Sequence, residues 1–124
     1  IGWDLAFPEV ARSLALEGAE LLCLCGSWEQ PHQAEWRHYC YSRALENAVY
    51  VAACNRVGEE PTYSFFGQSM IIGPRGTNHI ELEGTEAAVA VATVDLDEVR
   101  RCQEETQIIQ ARQPRSYRAI VKMY

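Results

Sequence analysis

Seven residues in the middle of the chain, Val49-Tyr50-Val51-Ala52-Ala53-Cys54-Asn55, form a near-continuous apolar run of strand length. A run of this kind reads as a strand buried on both faces, which occurs where helices cover a parallel sheet. Its neighbours fit that constraint. Gln33 to Ala48 places Trp36, Cys40, Ala44 and Asn47 at helical spacing, with Tyr39 and Leu45 flanking them. Glu20 to Leu24 precedes it as a short apolar strand. Strand, helix and strand in this order predict a βαβ unit with parallel strands and a right-handed crossover.

The first nine residues, Ile1-Gly2-Trp3-Asp4-Leu5-Ala6-Phe7-Pro8-Glu9, read as the exposed end of a buried strand running into a helix. Pro8 falls in the first helical turn, where its missing N–H costs nothing. The helix is expected from Pro8 to Glu17, packing on Val10, Ala11, Leu14 and Ala15, with Gly18 as its stop. Together with Glu20 to Leu24 this makes another βαβ unit. The elbow between strand and helix lifts side chains above the carboxyl edge of a sheet, where α/β proteins place reacting groups. The loop from Cys25 to His32 leaves the same edge, which makes Trp28 and Glu29 the best pocket candidates.

Downstream, Arg56 to Thr62 reads as a surface loop. Gln68 to Ile72 and Asn78 to Leu82 read as a hairpin around Gly73-Pro74-Arg75-Gly76. Ala87 to Val94, rich in β-branched residues, reads as a further strand. Asp95 is expected to cap a helix reaching about Thr106, with Glu98 completing a capping box. The remainder, Gln107 to Tyr124, is mixed and basic around Pro114.

With 124 residues, 48% of them apolar, the chain is sized for one modest core. A net charge of −6 argues against an electrostatic nucleic-acid partner. No apolar run is long enough to span a bilayer, and no signal peptide is visible. The chain opens on Ile and its first residue reads as mid-strand, so a fragment whose upstream half is missing is expected. Cys23, Cys25, Cys40, Cys54 and Cys102 match no zinc spacing, nor do His32, His38 and His79. The cysteines read as buried free thiols in a reducing compartment, which points to the cytoplasm. Neither a metal nor a cofactor is expected.

Six segments, in order, resemble the nitrilase superfamily, the carbon–nitrogen hydrolases. Trp3-Asp4 followed by Phe7-Pro8-Glu9 is similar to the family's nucleophile motif. Glu17-Gly18-Ala19-Glu20-Leu21-Leu22 resembles the strand start that follows it. Gly26-Ser27-Trp28 stands at the loop lining the substrate pocket. Arg43-Ala44-Leu45-Glu46-Asn47 with Tyr50-Val51 resembles the Arg-Ala-x-Glu-Asn-x-x-Tyr-Val signature. Gly67-Gln68-Ser69 and Gly73-Pro74-Arg75-Gly76 look like the family hairpin, and Arg112 to Tyr117 is similar to a closing Arg-x-Pro-x-x-Tyr element. The resemblance implies an α/β fold, half of an α-β-β-α sandwich. In it a mixed sheet carries βαβ units and a C-terminal hairpin, and residues 1–124 are the C-terminal part of one domain. It also implies a homodimer or higher homo-oligomer acting on a small amide, carbamoyl compound or nitrile.

In that family a Cys thiolate attacks the carbon, a Glu moves protons and a Lys stabilises the tetrahedral intermediate. Ammonia or an amine leaves, and water cleaves the thioester. Glu and Lys precede the Cys motif, so neither is identifiable here. The position that should be Cys is Gly2, which can neither attack nor titrate. Trp3 would supply a backbone oxyanion donor. Ala6 stands where many relatives have an Arg, which in some carbamoylase-like members holds a substrate carboxylate, so a carboxylate-bearing substrate is in doubt.

Each candidate also has a plain structural reading. Asp4 could tune the site, but an acid just after a strand more often accepts hydrogen bonds at a helix entry. Glu9 suits the helix dipole, Trp28 suits a cover for the core as well as for the pocket, and Arg43 with Glu46 suits an ion pair or a helix-surface contact at i,i+3. His32 and His38 read as solvated or hydrogen-bonded. A rescue by Cys25 is disfavoured because its attack geometry would differ from that of position 2. Three functions stay open: an amidohydrolase with Cys replaced at position 2, a catalytically dead relative that binds a ligand, and an assembly module.

Overall fold

The computed structural model describes residues 2–123. A four-stranded mixed sheet carries the fold, built from β1 (Leu21–Gly26), β2 (Tyr50–Asn55), β5 (Met70–Ile72) and β6 (Asn78–Glu81), in spatial order β1-β2-β5-β6. β1 and β2 pair in parallel, with Leu21 opposite Tyr50 and Gly26 opposite Asn55. Between them runs α2 (Gln33–Asn47), so this βαβ unit matches the sequence expectation. β5 lies antiparallel to both β2 and β6, and the Gly73–Gly76 turn joins the hairpin.

α2 packs as its spacing predicts. Trp36, Cys40, Ala44 and Asn47 are buried, and the first three join Val51, Ala53, Met70 and Ile72 in the main core. Ala48 ends the helix in the left-handed conformation, and its N–H and that of Val49 return to the last turn. α1 (Pro8–Leu16) begins at Pro8 as expected, but its buried residues are only Ala11 and Ala15. Val10 and Leu14 are exposed, because α1 meets the core along its small-residue edge.

Several expectations fail. The opening strand reaches the described residues only as a 3₁₀ turn, Gly2–Ala6; Ile1 lies outside them. Arg56 to Thr62 is not a plain loop. It contributes β3 (Val57–Glu59), which pairs with β4 (Ser64–Phe66) in a separate two-stranded ribbon. Ala87 to Val94 forms no strand, and Val89 and Val91 are 94% and 89% exposed. β-branched residues favour a pleated, half-buried surface, and no neighbouring strand provides one here.

α3 (Asp97–Thr106) starts two residues past Asp95, with Leu96 at the N-cap. The capping box is replaced by a bridge through Tyr50. The Tyr50 hydroxyl donates to Glu98 at 2.7 Å and accepts from the Asp95 N–H at 3.4 Å. The Asp95 carboxylate takes the Asp97 N–H at 3.0 Å. In the basic tail, Tyr117 accepts the Gln113 N–H through its hydroxyl at 2.9 Å and lies under the Arg112 guanidinium.

The helices cover one face of the sheet, and this decides the cysteines. Along β1, Leu22 and Leu24 pack on the core, whereas Leu21, Cys23 and Cys25 face away and are exposed. On β2, Val51, Ala53 and Asn55 are buried while Cys54 is exposed. On the opposite face Tyr50 is fully buried and Ala52 half-buried, so β2 is enclosed on both faces at its start and opens only at Cys54; the reading of all five thiols as buried is corrected. Only Cys40 and Cys102 are enclosed. Burial pushes the Cys40 thiol up to about 12, against a smaller opposing pull from Arg43, and raises Cys102. A thiolate is the reacting species. Titration of the native chain with a thiol reagent at pH 8 is therefore expected to show Cys23, Cys25 and Cys54 reacting fast. Cys40 and Cys102 should react only after unfolding, and peptide mapping checks the assignment.

Candidate active site

The carboxyl end of β1 meets the 3₁₀ turn and, with the loop that follows it, leaves a cavity of about 600 Å³. Gly2, Trp3, Cys25, Trp28, Glu29 and His32 are among its lining residues, so four of the sequence candidates meet at one place. Asp4 and Arg43 line a neighbouring cleft of about 210 Å³ instead. Phe7, Pro8 and Glu9 lead into α1, whose N-cap is Phe7 with no side-chain cap bond. The Asp4 carbonyl accepts the Phe7 N–H at 3.1 Å.

The cavity wall is aromatic. Trp3 is 70% exposed and stacks on Trp28 at 6.3 Å, and Trp28 is only 7% exposed. Trp28 belongs to the core and to the pocket at once, so its two readings are not exclusive. Its indole N–H donates to the Gly2 carbonyl at 3.3 Å, and its ring contacts Trp36 and Tyr39. Gly26 allows this packing. A Cβ there would stand 3.0 Å from the Trp36 ring and 3.1 Å from that of Trp28. The Trp36 indole N–H in turn donates to the Gln68 carbonyl at 2.9 Å.

Gly2 has φ of +60°, a conformation that side chains adopt at a cost. Space is not the obstacle. A Cβ at this position would lie 3.8 Å from Gly26 Cα and 3.9 Å from the Cys25 carbonyl oxygen, both ordinary contacts. Trp3 sits at the start of the 3₁₀ turn, where the opening N–H groups are not used by the turn itself.

Arg43 holds this turn in place. Its guanidinium is buried, donates to the Leu5 carbonyl at 3.0 Å and pairs with Glu46 at 2.8 Å. Asn47 donates to the Arg43 carbonyl at 2.9 Å. The expected ion pair is thus present, and it carries a tertiary tie that i,i+3 spacing alone does not reveal. Arg12 adds a second tie, from α1 to the Glu46 carbonyl at the end of α2. His32 and Glu35 meet at 3.1 Å on the cavity rim.

Sequence reasoning missed Asn55. Its buried carboxamide accepts the Trp28 N–H at 2.8 Å and donates to the carbonyls of Trp28 and Gly67 at 3.1 and 2.8 Å. Its own N–H goes to Ser69 Oγ at 3.0 Å. The available signal was a lone polar residue closing an apolar strand. Asn55→Ala would leave enclosed backbone groups unpaired and is expected to cost about 2–3 kcal/mol. Urea unfolding measures that loss, and faster hydrogen exchange at the Trp28 amide would locate it.

The carbon-nitrogen hydrolase family model matches residues 1–104. A Schizosaccharomyces pombe protein named "Probable nitrilase" is 46% identical over 100 residues, covering 81% of this chain and 37% of that protein. The N-carbamoylputrescine amidase of Arabidopsis thaliana is 33% identical over 138 aligned positions, covering 99% of this chain and 46% of the enzyme. The chain therefore spans less than half the length of these relatives. The crystal structure of a carbon-nitrogen hydrolase from Helicobacter pylori superposes with a TM-score of 0.89 at 26% identity, covering 99% of this chain and 48% of that one. With this fold, and with the elbow, the Trp28 loop and the Arg43-to-Asn47 helix in matching order, the chain belongs to the carbon-nitrogen hydrolase family.

Proposed function

We propose that this chain forms the nucleophile side of a cysteine-type carbon–nitrogen hydrolase site for a small amide, carbamoyl compound or nitrile, with Gly2 standing in the nucleophile's place. Residues 1–124 are, in this reading, the C-terminal part of one such domain. The Glu and Lys of the reaction come from its upstream part. The protein works in the cytoplasm as a homodimer or higher homo-oligomer. Its free cysteines and the exposed Val10 and Leu14 on α1 are compatible with that setting.

The observation that carries the reading is Gly2 itself. It occupies a left-handed elbow on the cavity wall, with room for a side chain. A thiolate there would add to the substrate carbon, and its electrons would pass to the carbonyl oxygen or nitrile nitrogen. For an amide, the oxyanion would meet the Trp3 N–H. From an amide or carbamoyl compound, collapse would expel ammonia or an amine, with a proton delivered to the leaving nitrogen; the thioimidate from a nitrile would add water first and then lose ammonia. Water would then free the acid from the thioester and return the thiol. Glycine removes the first of these steps, so the chain as written does not hydrolyse by this route.

A second reading follows from the same residue. Glycine relieves the backbone cost of φ near +60°, on the order of 1 kcal/mol, while the aromatic wall is kept. Such a cavity binds a small amide without consuming it.

Ammonia release from small aliphatic amides, measured with the native polypeptide that carries this sequence, tests the reading. The Gly2 protein is expected to match the blank. Gly2→Cys is expected to raise the rate by up to about 10⁶, the scale of losing a nucleophile from a coupled catalytic unit. Turnover by the Gly2 protein would overturn the assignment.

A further inference from the structure

We infer that the groove between α1 and the C-terminal tail is a second binding site, one that takes a small carboxylate carrying an alkyl chain. Arg12, Arg112 and Arg118 receive the charge. The groove holds about 540 Å³, a size that suits a small molecule. Its walls come from α1, Glu46 at the end of α2 and the tail, and it shares no lining residue with the Gly2–Trp28 cavity. It is therefore independent of whether that cavity turns over an amide.

Charge sets the sign of the ligand. In a chain of net charge −6, three arginines line this one groove. Glu9 and Glu46 line it too, but Glu46 already answers Arg43 at 2.8 Å, so positive charge is in excess. Arg12 reaches the Glu46 carbonyl with one terminal nitrogen, while the other, Nη1, is enclosed without a hydrogen-bond partner among the described residues. Burial holds this guanidinium below its usual range; Glu46 opposes that shift, and Arg112 adds like-charge repulsion. Arg112 lies over the Tyr117 ring, and neither it nor Arg118 has an ion-pair partner among the described residues. An anion seated among cations held this close relieves their repulsion. The rim sets the rest of the ligand. Leu16, Ile120 and Val121 line the same groove and are exposed. A bare anion leaves that apolar surface in water, whereas an attached alkyl chain covers it. The planar forks of arginine match a carboxylate through paired N–H donors. A short-chain carboxylate satisfies both walls.

Three probes separate the contributions: hexanoate, 1-hexanol as the chain without the charge, and inorganic phosphate as the charge without the chain. Each is titrated by calorimetry into the native polypeptide that carries this sequence. Hexanoate is expected to bind at least about tenfold more tightly than either of the others. Added salt should weaken it. Replacing both tail arginines, Arg112→Gln with Arg118→Gln, should weaken hexanoate at least about tenfold and leave hexanol unchanged, with a urea midpoint monitoring the fold of the variant. The Arg12 side-chain Nε–H resonance should shift as hexanoate saturates, which locates the ligand in the groove rather than beside Gly2. Phosphate binding as tightly as hexanoate would overturn the alkyl assignment, and hexanol binding as tightly would overturn the charge assignment. If hexanoate does not bind, if the double variant binds it as before, or if the Arg12 resonance stays in place, the site itself is overturned.

Discussion

A single buried carboxamide holds the candidate site together. Asn55 closes β2, and its side chain satisfies both the N–H and the carbonyl of Trp28 and also the Gly67 carbonyl. A peptide group enclosed without water needs such partners, since leaving one unmade costs more than a typical bond contributes. The loop after β1 is therefore tied to a strand end as firmly as to its own neighbours. Trp28 can face the core and the cavity together because its backbone has no freedom to choose between them. The Gly67 bond carries the same constraint onward to the segment between β4 and β5.

The elbow depends on a charged counterpart. Arg43 brings a buried guanidinium to the Leu5 carbonyl, and its charge is answered by Glu46 one turn along α2. A buried ion pair is weak evidence of stability by itself, but removing one partner from it is costly. Its clearest structural consequence is positional: α2, which packs on the sheet, fixes the turn that carries Gly2 and Trp3. At Gly2 stability and chemistry conflict. The left-handed backbone there suits glycine, whereas family chemistry asks for a thiol in that same strained place.

Much of this was legible in the residues. The βαβ unit through α2 and the β5–β6 hairpin could be read because helical spacing, an apolar strand and a Gly-Pro turn agreed at each level. The failures have a common cause, since each turned on partners the sequence does not display. β3 and β4 are three residues each, too short for an alternating pattern to declare itself. Ala87 to Val94 has strand propensity without a strand beside it. Cys23, Cys25 and Cys54 look internal by composition, yet which face of a sheet the helices cover is a tertiary fact. Gly2, Trp3, Trp28 and Glu29 line one cavity, as residues on strand-end loops of a shared edge should. Asn55 was not legible, because one terminal Asn announces nothing until its three partners are in place.

The central claim is that position 2 addresses the Trp3–Trp28 cavity in the way a nucleophile must. The most direct measurement is a crystal structure of the Gly2→Cys variant after alkylation at that position with iodoacetamide. The account predicts that φ at position 2 stays positive and that the added amide lies in the cavity beside the indoles. Its carbonyl oxygen should come within hydrogen-bond reach of the Trp3 N–H. A rebuilt elbow with negative φ, or an adduct directed away from the cavity into solvent, would contradict it.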